Sequence, residues 1–89
     1  MTMTVHNIYE LGARYDSRQS FYGKAHIIDT DEGMKLQSYS TIVAEIKRGK
    51  PTVFGTYSPT TLRHIKEFLK QNGFKAESKS QIENDYLDN

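Results

Sequence analysis

The chain contains no cysteine, so neither disulfides nor thiolate zinc sites are available and a single hydrophobic core must hold it together. Hydrophobic residues are scarce at 36%, and the mean hydropathy is low enough to permit disorder. A net charge of only +1 and the periodic placing of the apolar residues argue against that. No apolar run approaches the length of a membrane span. The opening MTMTVHNIYELG has neither a basic nor an apolar region of the kind a signal peptide needs, which makes a cytoplasmic protein the expectation. Eighty-nine residues suit one domain, and size scaling puts about 64% of the unfolded surface inside it. The ten aromatic residues, six Tyr and four Phe, must supply much of that buried area.

Charge is unevenly spread. Residues 1–35 carry −1, residues 36–75 carry +5 and residues 76–89 carry −3. A basic middle is thus followed by an acidic tail.

The strongest local signal predicts a helix over 59–72. Ser58 suits the N-cap and Pro59 the first helical position, while Tyr57 and Leu62 are spaced for a hydrophobic staple. Leu62, Ile65, Phe68 and Leu69 form an apolar stripe, with Arg63, Lys66, Glu67 and Lys70 assigned to the opposite, solvated side. Gly73 and Phe74 complete a Schellman stop. Upstream the period becomes two. Ile42–Lys47 and Thr52–Tyr57 read as a hairpin around Arg48-Gly49-Lys50-Pro51, with the second strand running into the helix cap. Phe21–Ile28 and Met34–Ser40 read as another pair, with Tyr39–Thr41 a bend or bulge inside one long strand. Val5–Leu11 is a further strand and Arg14–Ser20 a loop. In the tail, Ser80-Gln81-Ile82-Glu83 has the capping-box pattern, and Ile82, Tyr86 and Leu87 share one side of a short helix that either docks or frays. The fold expected is α+β, an antiparallel sheet of four or five strands with the main helix across one face. Residues 1–75 form the domain and 76–89 the acidic tail.

Candidate chemistry concentrates at the helix start, where Ser58, Thr60, Thr61, Arg63 and His64 crowd a positive dipole end suited to a phosphate or carboxylate. The bland alternative is that Ser58 caps, the threonines fill the first turn, and Arg63 and His64 are solvated. Lys47, Arg48 and Lys50 at the hairpin tip, with Arg63, Lys66 and Lys70 on the outer helix, are candidates for tracking nucleic-acid phosphates. Lysines that blunt a sheet edge explain the tip equally well. Asp29-Thr30-Asp31-Glu32-Gly33 is superficially like a calcium loop, but Ser40 stands where the bidentate Glu belongs, so it reads as a polar turn. His6, His26 and His64 never fall at metal-ligand spacing. No cofactor, metal or catalytic constellation is implied, and the chain reads as a non-enzyme.

Ser38-Tyr39-Ser40-Thr41-Ile42-Val43-Ala44, Gly49-Lys50 and the run Gly55-Thr56-Tyr57-Ser58-Pro59-Thr60-Thr61-Leu62-Arg63-His64-Ile65-Lys66-Glu67-Phe68-Leu69-Lys70-Gln71-Asn72-Gly73-Phe74 carry a resemblance. Over roughly residues 21–74 the chain resembles a family of small uncharacterised proteins of phages and mobile elements of Gram-positive bacteria. The resemblance implies origin rather than activity, and the compartment it implies is the cytoplasm of the bacterial host. Accessory proteins of such elements often inhibit a host or defence protein, or act on nucleic acid. The function expected is therefore a small non-enzymatic binding module acting on a host or defence protein. The alternative is nucleic-acid or nucleotide-phosphate binding through the hairpin tip and helix start.

Overall fold

A computed structural model describes residues 5–16, 21–55 and 58–88. Five strands, β1 (Val5–Glu10), β2 (Ala25–Thr30), β3 (Gly33–Ser38), β4 (Thr41–Lys47) and β5 (Lys50–Val53), precede two helices, α1 (Pro59–Gln71) and α2 (Lys79–Tyr86). The strands form one antiparallel sheet in the order β1-β2-β3-β4-β5, each paired with its neighbour in sequence. The α+β class, the main helix and the short C-terminal helix agree with the reading of the sequence.

Alternation decides the faces. Ala25 and Ile27 of β2, Leu36 of β3, Ala44 and Ile46 of β4 and Val53 of β5 are buried, and α1 lays Ile65, Phe68 and Leu69 over them. These buried side chains contribute on the order of 1.5–3 kcal/mol each for the larger ones. α1 ends as its sequence dictates. Gly73 takes a φ of +85°, and Gly73 N–H and Phe74 N–H donate to the carbonyls of Lys70 (3.1 Å) and Leu69 (2.9 Å).

The structure corrects two expectations and settles a third. Tyr39 and Ser40 do not bend a continuous strand; they form the turn between β3 and β4, where Ser38 pairs with Thr41 and Tyr39 reverses the chain at a φ of +57°. The irregularity lies between Leu36 and Gln37, opposite Ala44 and Ile42. The capping serine of α2 is Ser78, not Ser80, and it accepts Gln81 N–H at 3.1 Å. The C-terminal segment does not fray. Ala76 and Ile82 are fully inside the core, Leu87 bridges to Val53, and Asp88 N–H donates to Val53 C=O at 2.8 Å. Thr56 and Tyr57, with the staple assigned to Tyr57, lie outside the described residues, as do residues 17–20 of the expected loop.

Gly33 is required by contact. A Cβ there would stand 1.9 Å from the Ile46 carbonyl oxygen, so the β2–β3 turn tolerates only glycine where β4 passes. The two edges of the sheet also differ. β5 is covered by Leu87 and Asp88, whereas every residue of β1 is exposed.

Candidate functional site

The helix start is built on a polar seam that an apolar-periodicity reading overlooks. Thr61, His64, Glu67 and Gln71 recur at three- and four-residue spacing along α1, beside the apolar seam of Ile65, Phe68 and Leu69. Ser38 Oγ, at the end of β3, lies 2.9 Å from Thr61 Oγ1 and 2.8 Å from His64 Nδ1. All three residues are buried, so this network fastens the first turns of α1 to β3. His64 is thus 1% exposed and not solvated, and Phe21 meets its ring edge-on at 4.7 Å.

Glu67, placed by its type on the solvated side, is equally buried. Its Oε1 accepts the backbone N–H groups of Tyr15 (2.8 Å) and Asp16 (3.0 Å), and its Oε2 accepts from Gln71 Nε2 at 2.5 Å. Gln71 also donates to Gly12 C=O at 2.6 Å. The seam therefore captures the connection after β1, and the reason lies in backbone donors that had no strand partner.

Ser58 caps α1, accepting Thr61 N–H at 3.2 Å. Around this cap lies an open pocket of about 120 Å³. Buried Phe21 and His64 lie beneath it, exposed Tyr22 and Tyr39 flank it, and Lys24, Thr60 and Arg63 complete its lining. Both tyrosines have left-handed backbones, with φ of +54° and +57°, where glycine or asparagine is the usual residue. Tyr22 does so in a tight turn closed by Lys24 N–H on Phe21 C=O (3.0 Å), and Tyr39 N–H donates to Lys24 C=O at 2.7 Å. Lys24 Nζ lies 5.8 Å from the Tyr39 ring centre.

The basic candidates separate into two groups. Lys47 and Arg48 both pair with Glu32 at 3.2 Å, and Lys47 lies opposite Gly33 at one end of the sheet. Exposed Lys50, opposite Lys47, belongs to that end. Ser38, which binds the helix start, is five residues farther along β3, roughly 17 Å away. The hairpin tip and the helix start do not form one surface. On the helix, Arg63 Nη1 donates to Asp16 at 3.0 Å, while half-buried Lys66 and Lys70 border a shallow depression with Tyr15, Asp16 and Glu67. Of the nine candidates, Thr60 and Arg63 line the tyrosine pocket, Ser58 caps the helix and Thr61 is spent inside. Tyr22, Lys24 and Tyr39 were missed; the signal available was a pair of tyrosines in turn positions, one of them directly before Gly23.

A model for a family of unknown function, DUF8033, matches residues 9–84. The chain belongs to that family. The match runs beyond Phe74 through most of α2, so the family unit includes the segment that the sequence set apart as a tail. No curated protein and no solved structure matches the chain. Among the described residues, no helix is long and apolar enough to cross a membrane, and no three metal-ligating side chains come together.

Proposed function

We propose that the protein is a small non-enzymatic binding module whose target is another protein, captured as an extended segment along the free edge of β1. The observation that carries this reading is the asymmetry of the sheet. One edge is met at Val53 by the chain's own Leu87 and Asp88 and carries Pro51, and the other presents Val5, Ile8 and Tyr9 at 52%, 57% and 43% exposure. Leu11 N–H donates to Ala25 C=O, so alternation along the ladder turns the backbone groups of Ile8 and Glu10 away from β2. Ile8 N–H donates to its neighbour's side chain, Asn7 Oδ1 at 3.0 Å, a local contact that an incoming carbonyl would replace. Natural sheets usually blunt such an edge with lysine or proline. β1 has neither. Addition of a sixth strand supplies main-chain hydrogen bonds for affinity and leaves Val5, Ile8 and Tyr9 to select side chains of the partner. The likeness to phage and mobile-element proteins supports a host or defence protein as that partner, inhibited or modulated by the capture.

Ile8→Lys tests the reading, because an exposed edge lysine blocks strand addition while leaving the core untouched. The full chain with a photo-crosslinker at position 8 is expected to form an adduct with a host protein, and Ile8→Lys to lose that protein in affinity capture at an unchanged melting temperature. Capture that survives Ile8→Lys, or crosslinking only to a second copy of the chain, would refute the proposal.

A further inference from the structure

We infer that the pocket between Tyr22 and Tyr39 is a nucleotide site that takes one phosphate against Lys24, Thr60 and Arg63 while a base stacks on the tyrosines. Three features of the pocket select this chemistry. Among the described residues, its lining holds two cations, the Thr60 hydroxyl and a histidine beside the two tyrosines, with no carboxylate. The nearest carboxylate described at its cations is that of Asp16, already paired with Arg63 at 3.0 Å. Lys24 is exposed, and the pairing of Arg63 with Asp16 uses one of the five N–H donors of the guanidinium. The neighbouring depression along the outer side of α1 is larger, about 400 Å³, but carries the Asp16 carboxylate and suits an anion less well.

The second feature is size. The pocket is small, about 120 Å³, and open, so a phosphate seated in it leaves the rest of a nucleotide beside Tyr22 and Tyr39, which are 72% and 50% exposed. Stacking of a base on such rings is sequence-tolerant.

The third feature is the backbone. Two bulky residues hold left-handed conformations at adjacent turns, both bordering the same pocket and tied together through the Tyr39 N–H bond to Lys24. Arg48 shares this backbone at φ +53° in a third turn, but only at Tyr22 and Tyr39 do two such residues border one pocket. His64 and Phe21 beneath are fixed by burial and by the Ser38 bond, so the pocket is preformed. The same unit, one phosphate beside one base, comes from a free mononucleotide or from a single strand.

The experiment is a titration of the full-length protein, followed by backbone amide NMR, with adenosine 5′-monophosphate, a short oligothymidylate and inorganic phosphate. Expected are shifts confined to Tyr22, Lys24, Tyr39, Thr60 and their neighbours, with both nucleotides binding more tightly than phosphate. Lys24→Ala is expected to weaken nucleotide binding about tenfold. Tyr22→Gly and Tyr39→Gly, which suit the backbone at those positions, should weaken nucleotides about tenfold and leave phosphate unchanged. Equal affinity for the monophosphate and the oligomer identifies the free nucleotide as the source, and a tighter, steeply salt-dependent oligomer identifies the single strand. No shift with either nucleotide, shifts elsewhere on the surface, or affinities unmoved by the tyrosine variants overturn the assignment. Strand capture at β1 is a separate matter, since Ile8→Lys leaves this pocket intact.

Discussion

The Glu67 carboxylate accepts the backbone N–H of Tyr15 at 2.8 Å, joining the middle of α1 to the connection that follows β1 across 52 positions of sequence. The same oxygen takes Asp16 N–H, and the other takes Gln71. A buried carboxylate held this way is a clamp. Without it, two backbone donors and an amide lose their acceptor together.

Glu67→Ala is therefore expected to cost about 3 kcal/mol of unfolding free energy, at the scale of breaking a buried charged network. Glu67→Gln should cost less, about 1–2 kcal/mol, because one oxygen still accepts from Tyr15 and Asp16 while the new amide faces the amide of Gln71. Urea titrations of the two variants, read by far-UV circular dichroism, give both values. Equal losses would mean that charge, and not acceptor geometry, matters at this position.

A second prediction concerns the network at the helix start. Ser38→Ala leaves Thr61 Oγ1 and His64 Nδ1 without their shared partner and is expected to lose about 1–3 kcal/mol. The double variant Ser38→Ala with His64→Phe removes both ends of one bond and should lose less than the two single losses added together. A double-mutant cycle in chemical denaturation measures the coupling, and strict additivity would contradict it.

Backbone conformation yields a contrast between glycine gained and glycine lost. Tyr22→Gly and Tyr39→Gly each relieve about 1–2 kcal/mol of left-handed strain, offset by glycine's greater unfolded-state freedom of about 0.5–1 kcal/mol and by lost ring contacts. Stability should stay within about 1 kcal/mol of the parent. Gly33→Ala places a methyl group 1.9 Å from the Ile46 carbonyl oxygen, which β4 can relieve only by moving, and about 3 kcal/mol or more is expected to be lost. Thermal melts separate the two classes by about 8 °C or more, using roughly 4–8 °C per kcal/mol.

The phenol of Tyr9 supplies a pH signature. Its partial burial, and then the negative charge of Asp29, push its pKa above the ordinary 10.0. The folded chain thus holds this proton more tightly than the unfolded one. Its contribution to stability is complete below pH 10 and is lost as the pH rises through the folded value. Ultraviolet difference titration of the parent against Tyr9→Phe should show the missing phenolate step above pH 10, and Asp29→Asn should move that step downward. A Tyr9 step at or below 10 would contradict the assignment.

Most of the scaffold was legible in the sequence because local rules and global packing agree there. Ser58, Gly73 and Phe74 mark the limits of α1 by hydrogen bonds that the structure contains, and period-two runs locate the strands, although β5 occupies Lys50–Val53 and so begins two residues before the run read from Thr52. The failures are equally physical. His64 and Glu67 were placed in solvent by residue type, yet each is buried because a partner distant in sequence, Ser38 in one case and residues 15–16 in the other, satisfies it. Tyr39–Thr41 was read as a bend or bulge inside one long strand, whereas the left-handed backbone of Tyr39 reverses the chain there. The tail was set apart by its charge and the shortness of its helix, while buried Ala76 and Ile82 and the Leu87 and Asp88 contacts with Val53 seat α2 on the domain. The hairpin tip and helix start were grouped by sign of charge, a property that says nothing of which end of a strand a residue occupies.

The strand order, in which each member of the sheet lies beside its predecessor in the chain, has a kinetic meaning. Four successive hairpins close through short connections at three of the four junctions, so little loop entropy has to be overcome before neighbouring strands meet. The clasp between Glu67 and the first connection is the opposite case, a closure over 52 positions of sequence in an otherwise local topology.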